Sequence, residues 1–276
     1  MTRTVADAAA LLSVLAGVDP SDPATASNRE PSDLDYTVFL DTHGLAGSRI
    51  GVARQYFGFH PGVDAALEEV LTEMKRLGAE LIDPVELSTR GAFGDAEYTV
   101  LLYEFKADLK RYLAELGSSA PVRNLAEVIR FNEDNAELEM PFFGQDIFLE
   151  AESRGDLSSP EYTQALEICR RATREEGIDA VMDQHRLDAI VAPTGGPAWT
   201  TDLINGDHFL GGSSSFAAVS GYPNITVPAG DVHGLPIGLS FFGRAWSEPK
   251  LLQLASAFEA ATQARRPPGF QATFPS

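Results

Sequence analysis

The 276-residue chain has one cysteine, Cys169, and only four lysines. A single cysteine excludes an internal disulfide and a cysteine-based metal cluster. It fits a reducing, cytoplasmic setting. No run approaches the roughly 20 apolar residues that a membrane-spanning helix needs. Positive charge is scarce: 21 Lys and Arg stand against 40 Asp and Glu, a formal net charge of −19. Nucleic acid and anionic membrane would both be repelled, so neither is expected as a partner. The sequence also lacks a P-loop, a GxGxxG after a strand, an HExxH and an EF-hand loop. No cofactor and no metal are expected.

What is present reads as alternating elements. Thr4 caps a first helix, with Asp7 in the capping-box position and Gly17 as the stop. Its apolar stripe is Val5, Ala8, Leu11, Leu12 and Leu15. Residues 19–48 are rich in Pro, Ser, Asp and Gly and read as a surface loop. Residues 49–57 and 79–85 read as strands. Between them Val63, Leu67, Val70, Leu71, Met74 and Leu77 keep helical spacing, which makes a βαβ unit.

Residues 91–185 are mainly helical, in segments 93–117, 124–140, 143–154 and 160–185, with Gly177 marking a break. Asn124 with Glu127, Ser159 before Pro160 and Ser247 before the last helix are the expected caps. Cys169 falls on an apolar stripe and is expected to be a buried, unreactive thiol. Residues 187–194, 224–230 and 236–244 read as strands and 248–264 as a closing helix. In the last strand Gly238 and Ser240 share a face on which a neighbour can approach closely. Without an internal repeat or linker, the chain reads as one α/β domain over 1–276, with a helical insert at 91–155.

The stretch GGSSSFAAVSG at 211–221 has the composition of a nucleophile loop. A serine needs a base to take its proton, His or Lys. His43, His60, His185, His208 and His233 are scattered near turns. Lys75, Lys106, Lys110 and Lys250 all fall on solvated helix positions. The elbow GxSxG is absent, since Ser stands where the closing Gly belongs. The alternative is a glycine turn that feeds an N-cap serine of a short helix at 216–220, stopped by Gly221.

Four longer stretches carry a resemblance: RTVADAAALLSVLAGVDPSDPAT at 3–25, FNEDNAELEMPFFGQDIF at 131–148, LDAIVAPTGGPAW at 187–199, and SGYPNITVPAGDVHGLPIGLSFFGRAWSEPKLLQLASAFEAATQARRPP at 220–268. They resemble the amidase signature family, and within it the peptide-amidase-like branch, over the C-terminal half of a typical member. The resemblance implies an α/β/α sandwich with a mixed central sheet, here incomplete. It implies hydrolysis of a carboxamide or peptide amide to carboxylate and ammonia. In that family a Ser–cis-Ser–Lys triad precedes the RTVADAA helix, so no catalytic residue is assigned in this chain. TGGPAW and GGSSS would flank the substrate cleft, which makes Thr194, Gly195, Trp199, Ser213, Ser214 and Phe216 the substrate-contacting candidates. The chain is then expected to be a C-terminal fragment, an internal start or a truncated product. Alone it is expected to be partly ordered or aggregating, and inactive. A small amide or peptide amide is the expected ligand, and a second copy of the chain is kept open as a partner. Two other readings stand beside the hydrolase: a non-catalytic remnant that binds a partner, and an A-type component of an amidotransferase. The stretch FNEDNAELEMPFFGQ favours the peptide-amidase-like branch over the last.

Overall fold

A computed structural model describes residues 1–28 and 34–270. Part of the loop expected at 19–48 lies outside the described residues. In chain order the elements are α1 (Val5–Leu15), β1 (Arg49–Val52), α2 (Pro61–Arg76), β2 (Glu80–Ile82), α3 (Gly94–Glu115), α4 (Leu125–Asp134), α5 (Ala136–Glu139), α6 (Asp146–Glu152) and α7 (Pro160–Thr173). There follow α8 (Asp179–His185), β3 (Ala189–Pro193), α9 (Ser215–Ser220), β4 (Asn224–Val232), β5 (Leu235–Phe242) and α10 (Glu248–Thr262). These fall into two compact units, Met1–Ser88 with Gly177–Thr201 and Asp207–Ser276, and Thr89–Glu176 with Asp202–Gly206.

The first unit is built on a mixed five-stranded sheet in the order β2-β1-β3-β5-β4. β1 runs parallel to β2 and β3, and β5 runs antiparallel to β3 and β4. β3 (AIVAP) is buried along its whole length, as a strand covered on both faces must be. Ala189, Val191, Ile237, Leu239 and Phe241 join one core with the apolar faces of α2 and α10. Phe241 meets Phe258 of α10 edge-on, with centroids 5.6 Å apart. α2 buries Val63, Leu67, Val70, Leu71 and Met74, as its periodicity predicts. Its cap is His60, whose Nδ1 accepts from the Gly62 and Val63 amides at 3.1 and 3.3 Å. An accepting Nδ1 places the ring proton of the neutral imidazole on Nε2.

The expected stripe of α1 is rotated. Val5 and Ala9 are buried, whereas Leu11 and Leu15 are exposed. Two polar ties fix that rotation. The Glu259 carboxylate accepts from the Val5 amide at 3.0 and 3.1 Å, and the Ser13 hydroxyl accepts from the Tyr36 amide at 2.8 Å. β1 is shorter than the expected 49–57, because the chain turns into a 3₁₀ segment at Arg54–Tyr56. There Arg54 forks onto Asp83 at 2.6 and 2.7 Å, pairs with Glu68 and lies over the Phe57 ring. Those bonds hold the Asp83 carboxyl below its ordinary range. β4 and β5 form a hairpin whose two-residue turn, His233 and Gly234, has positive φ at both positions. That conformation matches the twist of the strands. A bulge interrupts β4 between Pro228 and Gly230.

The second unit is helical. Leu102, Leu125, Ile129 and Ala151 form its core, with Phe105 and Phe148 against it. Asn124 caps α4 as expected, its Oδ1 accepting from the Glu127 amide at 2.9 Å, while the Glu127 carboxylate accepts from the Arg123 amide at 2.8 Å. The helix expected over 124–140 divides at Asn135, and the one over 160–185 breaks around Arg174–Ile178, where Gly177 leaves helical dihedrals. Ser159 stands at the N-cap of α7 without a side-chain cap bond, as Ser247 does for α10. Tyr103 donates to Glu161 at 2.7 Å and Tyr162 donates to Glu104 at 2.8 Å, which ties α3 to α7 twice. Cys169 is buried, and burial pushes its thiol up, away from the reactive thiolate.

A Cβ on Gly51 would lie 2.6 Å from Leu187 Cδ1 and 2.9 Å from Val85 Cγ2. Gly51→Ala is expected to cost about 1–3 kcal/mol by overpacking, read as a lower urea midpoint at unchanged slope. Burial, and then the Glu104 carboxylate, push the Tyr162 phenol up to about 12. A phenol raised above the unfolded value of about 10 stabilises fully below that pH and loses its contribution as pH rises toward the folded value. Alkaline unfolding should therefore contain a Tyr162 component, followed at 295 nm, that Tyr162→Phe removes.

Candidate functional site

β3 delivers the TGGPAW loop to the carboxyl end of the sheet. The Thr194 amide donates to Gly238 O at 2.9 Å, which extends the β3–β5 ladder by one bond. The Thr194 hydroxyl lies 2.6 Å from that of Thr226 on β4 and 2.9 Å from that of Ser240 on β5. Gly238 makes room for this cluster: a Cβ there would sit 2.6 Å from Thr226 Oγ1 and 2.8 Å from Thr194 Oγ1. The close neighbours expected for the small pair Gly238 and Ser240 are thus two threonine hydroxyls. Three hydroxyls carry three protons and make two bonds, so one proton remains to donate outward. Ser240 is buried, and an unused donor there would be costly. Ser240 therefore donates to Thr194, and the free proton lies on Thr194 or Thr226, both nearer solvent.

GGSSS folds back onto this loop. Gly212 pairs with Gly195 in an antiparallel bridge. Ser213 is fully buried, and its hydroxyl donates to Pro193 O at 2.7 Å, which satisfies the last carbonyl of β3. Phe216 is also fully buried. These two candidates hold the loop from inside. α9 begins one residue earlier than the expected 216–220, so the serine before Phe216, Ser215, lies inside the helix; Ser214 stands exposed at the N-cap with helical dihedrals, and its side chain makes no cap bond. Gly221 ends the helix at φ 71°, as expected.

Trp199 faces solvent at 39% exposure, and its Nε1 donates to Asp207 at 3.2 Å. Its ring meets Phe209 edge-on at 6.3 Å. Asp207, Phe209, Thr226 and Ser240 are not legible as site residues in the sequence. Thr226 has a weak signal, the Asn224–Thr226 polar alternation along a strand, and Ser240 is legible only as a small residue that a neighbour can approach; Asp207 and Phe209 have none that local spacing carries.

The lysines are engaged or exposed elsewhere. Lys106 donates to the carbonyls of Glu152 and Arg154 at 2.6 and 2.8 Å, and Lys250 donates to Gln253 at 3.1 Å. Lys75 and Lys110 are exposed. Among the described residues no lysine donates to a serine hydroxyl, and no group of three or more His, Cys, Asp or Glu could hold a metal ion. Among the described residues no helix is long and apolar enough to cross a membrane.

The family model for Amidase matches residues 1–252. A probable amidase of Arabidopsis thaliana is 38% identical over 275 residues, 97% of this chain and 49% of the relative. The peptide amidase PAM in complex with the competitive inhibitor chymostatin superposes at TM-score 0.93 with 48% identity, over 98% of this chain and 55% of that one. The A-type component of the glutamyl-tRNA(Gln) amidotransferase of Myxococcus xanthus is 33% identical over 94% of this chain and 53% of the relative. The chain spans about half the length of the curated relatives it matches. Its mixed α/β fold is that of amidase signature enzymes.

The buried tie from Ser213 to Pro193 has a measurable consequence. Ser213→Ala leaves a buried carbonyl without its partner and is expected to lower stability by about 1–3 kcal/mol in urea unfolding. An unchanged midpoint would show that the hydroxyl does not hold the loop.

Proposed function

The chain belongs to the amidase family, and on that premise we propose that it forms the C-terminal part of a hydrolase that converts a carboxamide or peptide amide to carboxylate and ammonia. The observation that carries this reading is the likeness, along almost the whole chain, to a peptide amidase bound to a competitive inhibitor. Within the site this chain supplies one wall of the cleft. The Thr194–Thr226–Ser240 hydroxyls offer an outward proton to a carbonyl or amide oxygen. Gly195 and Ser214 border the same loop pair, and Trp199 adds an apolar surface. The single buried Cys169 fits a reducing cytoplasm.

Amide hydrolysis also needs a hydroxyl nucleophile, a base that takes its proton, and donors for the oxyanion. Such groups act as a unit, and little activity survives without them. Ser213 is committed to Pro193, and the four lysines lie on helices, engaged with other groups or exposed. On this reading the chain alone does not turn over. An A-type component of an amidotransferase is the second reading; the higher identity to the peptide amidase favours the first.

Ammonia release from N-acetyl-L-phenylalaninamide, followed by coupled reductive amination of 2-oxoglutarate, tests this. The chain alone is expected to give only the buffer rate. Mixed with the part of the peptide amidase that this chain does not cover, it is expected to release ammonia. Release by the chain alone that Ser214→Ala abolishes would overturn the assignment of the nucleophile to another segment. A mixture that assembles but stays inert would point to a non-catalytic binding protein.

A further inference from the structure

The larger exposed side chains of the site form an arrangement that the hydrolytic reading uses only as an apolar surface. Gly195 and Gly196 on one side, and Gly211 and Gly212 on the other, bring two backbone segments together without side chains between them. Aromatic rings flank this strip. A Cβ on Gly211 would lie 3.3 Å from the Phe59 ring, and one on Gly196 3.6 Å from the same ring. A Cβ on Gly212 would lie 3.8 Å from the tip of Phe209. Phe59 is partly buried and packs against the core. Phe209 is 69% exposed, and Trp199 meets it edge-on.

Two exposed aromatics held in fixed relation differ from the scattered surface apolar residue that needs no explanation. Asp207 orients the indole by accepting its N–H at 3.2 Å. An aromatic pair of this kind offers edge and face to a third ring, and it loses little side-chain freedom when one binds. The strip beside it is bare backbone, which a flat amide can approach closely. The hydroxyl of Thr194, the residue before Gly195, belongs to the cluster with an outward proton.

We propose that Trp199 and Phe209, with the indole positioned by Asp207, form a subsite that receives an aromatic or bulky apolar side chain of the amide substrate beside the carboxamide to be cleaved. The substrate class is then the amide of an aromatic or large apolar residue, and small polar residue amides are discriminated against. This rests on the amidase reading above. All of its residues belong to the sheet-bearing unit, so ligand binding reports on it without turnover.

Trp199 and Trp246 are the two tryptophans of the chain. In a Trp246→Phe background the emission of Trp199 alone is read while three ligands are titrated: N-acetyl-L-phenylalaninamide, N-acetyl-L-serinamide and N-acetyl-L-phenylalanine. The aromatic amide is expected to perturb the emission and to bind at least about tenfold more tightly than the serine amide. Phe209→Ala is expected to weaken the aromatic amide about three- to tenfold and to leave the serine amide unchanged. Asp207→Ala is expected to alter the emission of the free chain and to weaken the aromatic amide selectively, an effect a merely structural aspartate would not produce. Phe209 is exposed, so its loss should leave the fold intact, which a circular-dichroism melt checks.

Equal binding of the two amides, or no emission response to any of the three, overturns the subsite. Aromatic preference with equal binding of amide and acid keeps the subsite and removes the amidase reading. Preference for amide over acid without aromatic discrimination does the reverse.

Discussion

The sheet-bearing unit depends on one constraint, the burial of Ala189–Pro193. Five consecutive buried residues in one strand mean that both of its faces are covered. Parallel pairing to β1 on one side and antiparallel pairing to β5 on the other satisfy its backbone. Because every backbone group of a buried strand needs a partner, the place where the strand ends is fixed as firmly as its middle. The last carbonyl, that of Pro193, is taken up by Ser213. The next residue, Thr194, is the first whose side chain reaches toward solvent. The site begins where the strand runs out of cover.

That geometry explains how a serine-rich turn can imitate a nucleophile loop. Three serines in a row carry three fates here. Ser213 is spent on a carbonyl inside the fold, Ser214 faces solvent, and Ser215 opens α9. Reactivity requires a partner base, and the four lysines are placed on helices at positions that hold carbonyls, pair with neighbours or face water. Composition cannot separate these fates, because burial is set by the strand that the turn folds against.

Where the structure follows local periodicity, the sequence is legible. The α2 stripe, the β4–β5 alternation and the Asn124–Glu127 cap all depend on spacings of two to four residues. Where it follows distant polar ties, legibility stops. The rotation of α1 is set by Glu259, 254 residues away, and by Ser13 holding the Tyr36 amide. His60 is hidden as a cap because an imidazole at that position has no strong local preference. The site shows the same division. Glycine-rich loops mark TGGPAW and GGSSS, but Thr226 lies 32 residues and Ser240 lies 46 residues from Thr194. Their hydroxyls meet only through sheet register.

The bulge in β4 has a further consequence for a protein with an open sheet edge. β4 is the terminal strand of the described sheet, and an edge strand with a regular row of free amides and carbonyls is a template on which another chain can extend. Pro228 has no amide to offer, and the shift between Pro228 and Gly230 breaks the spacing that an incoming strand would need. Asp231 adds an exposed negative charge in the same stretch. The same irregularity thus makes the outer side of β4 a poor template for another strand.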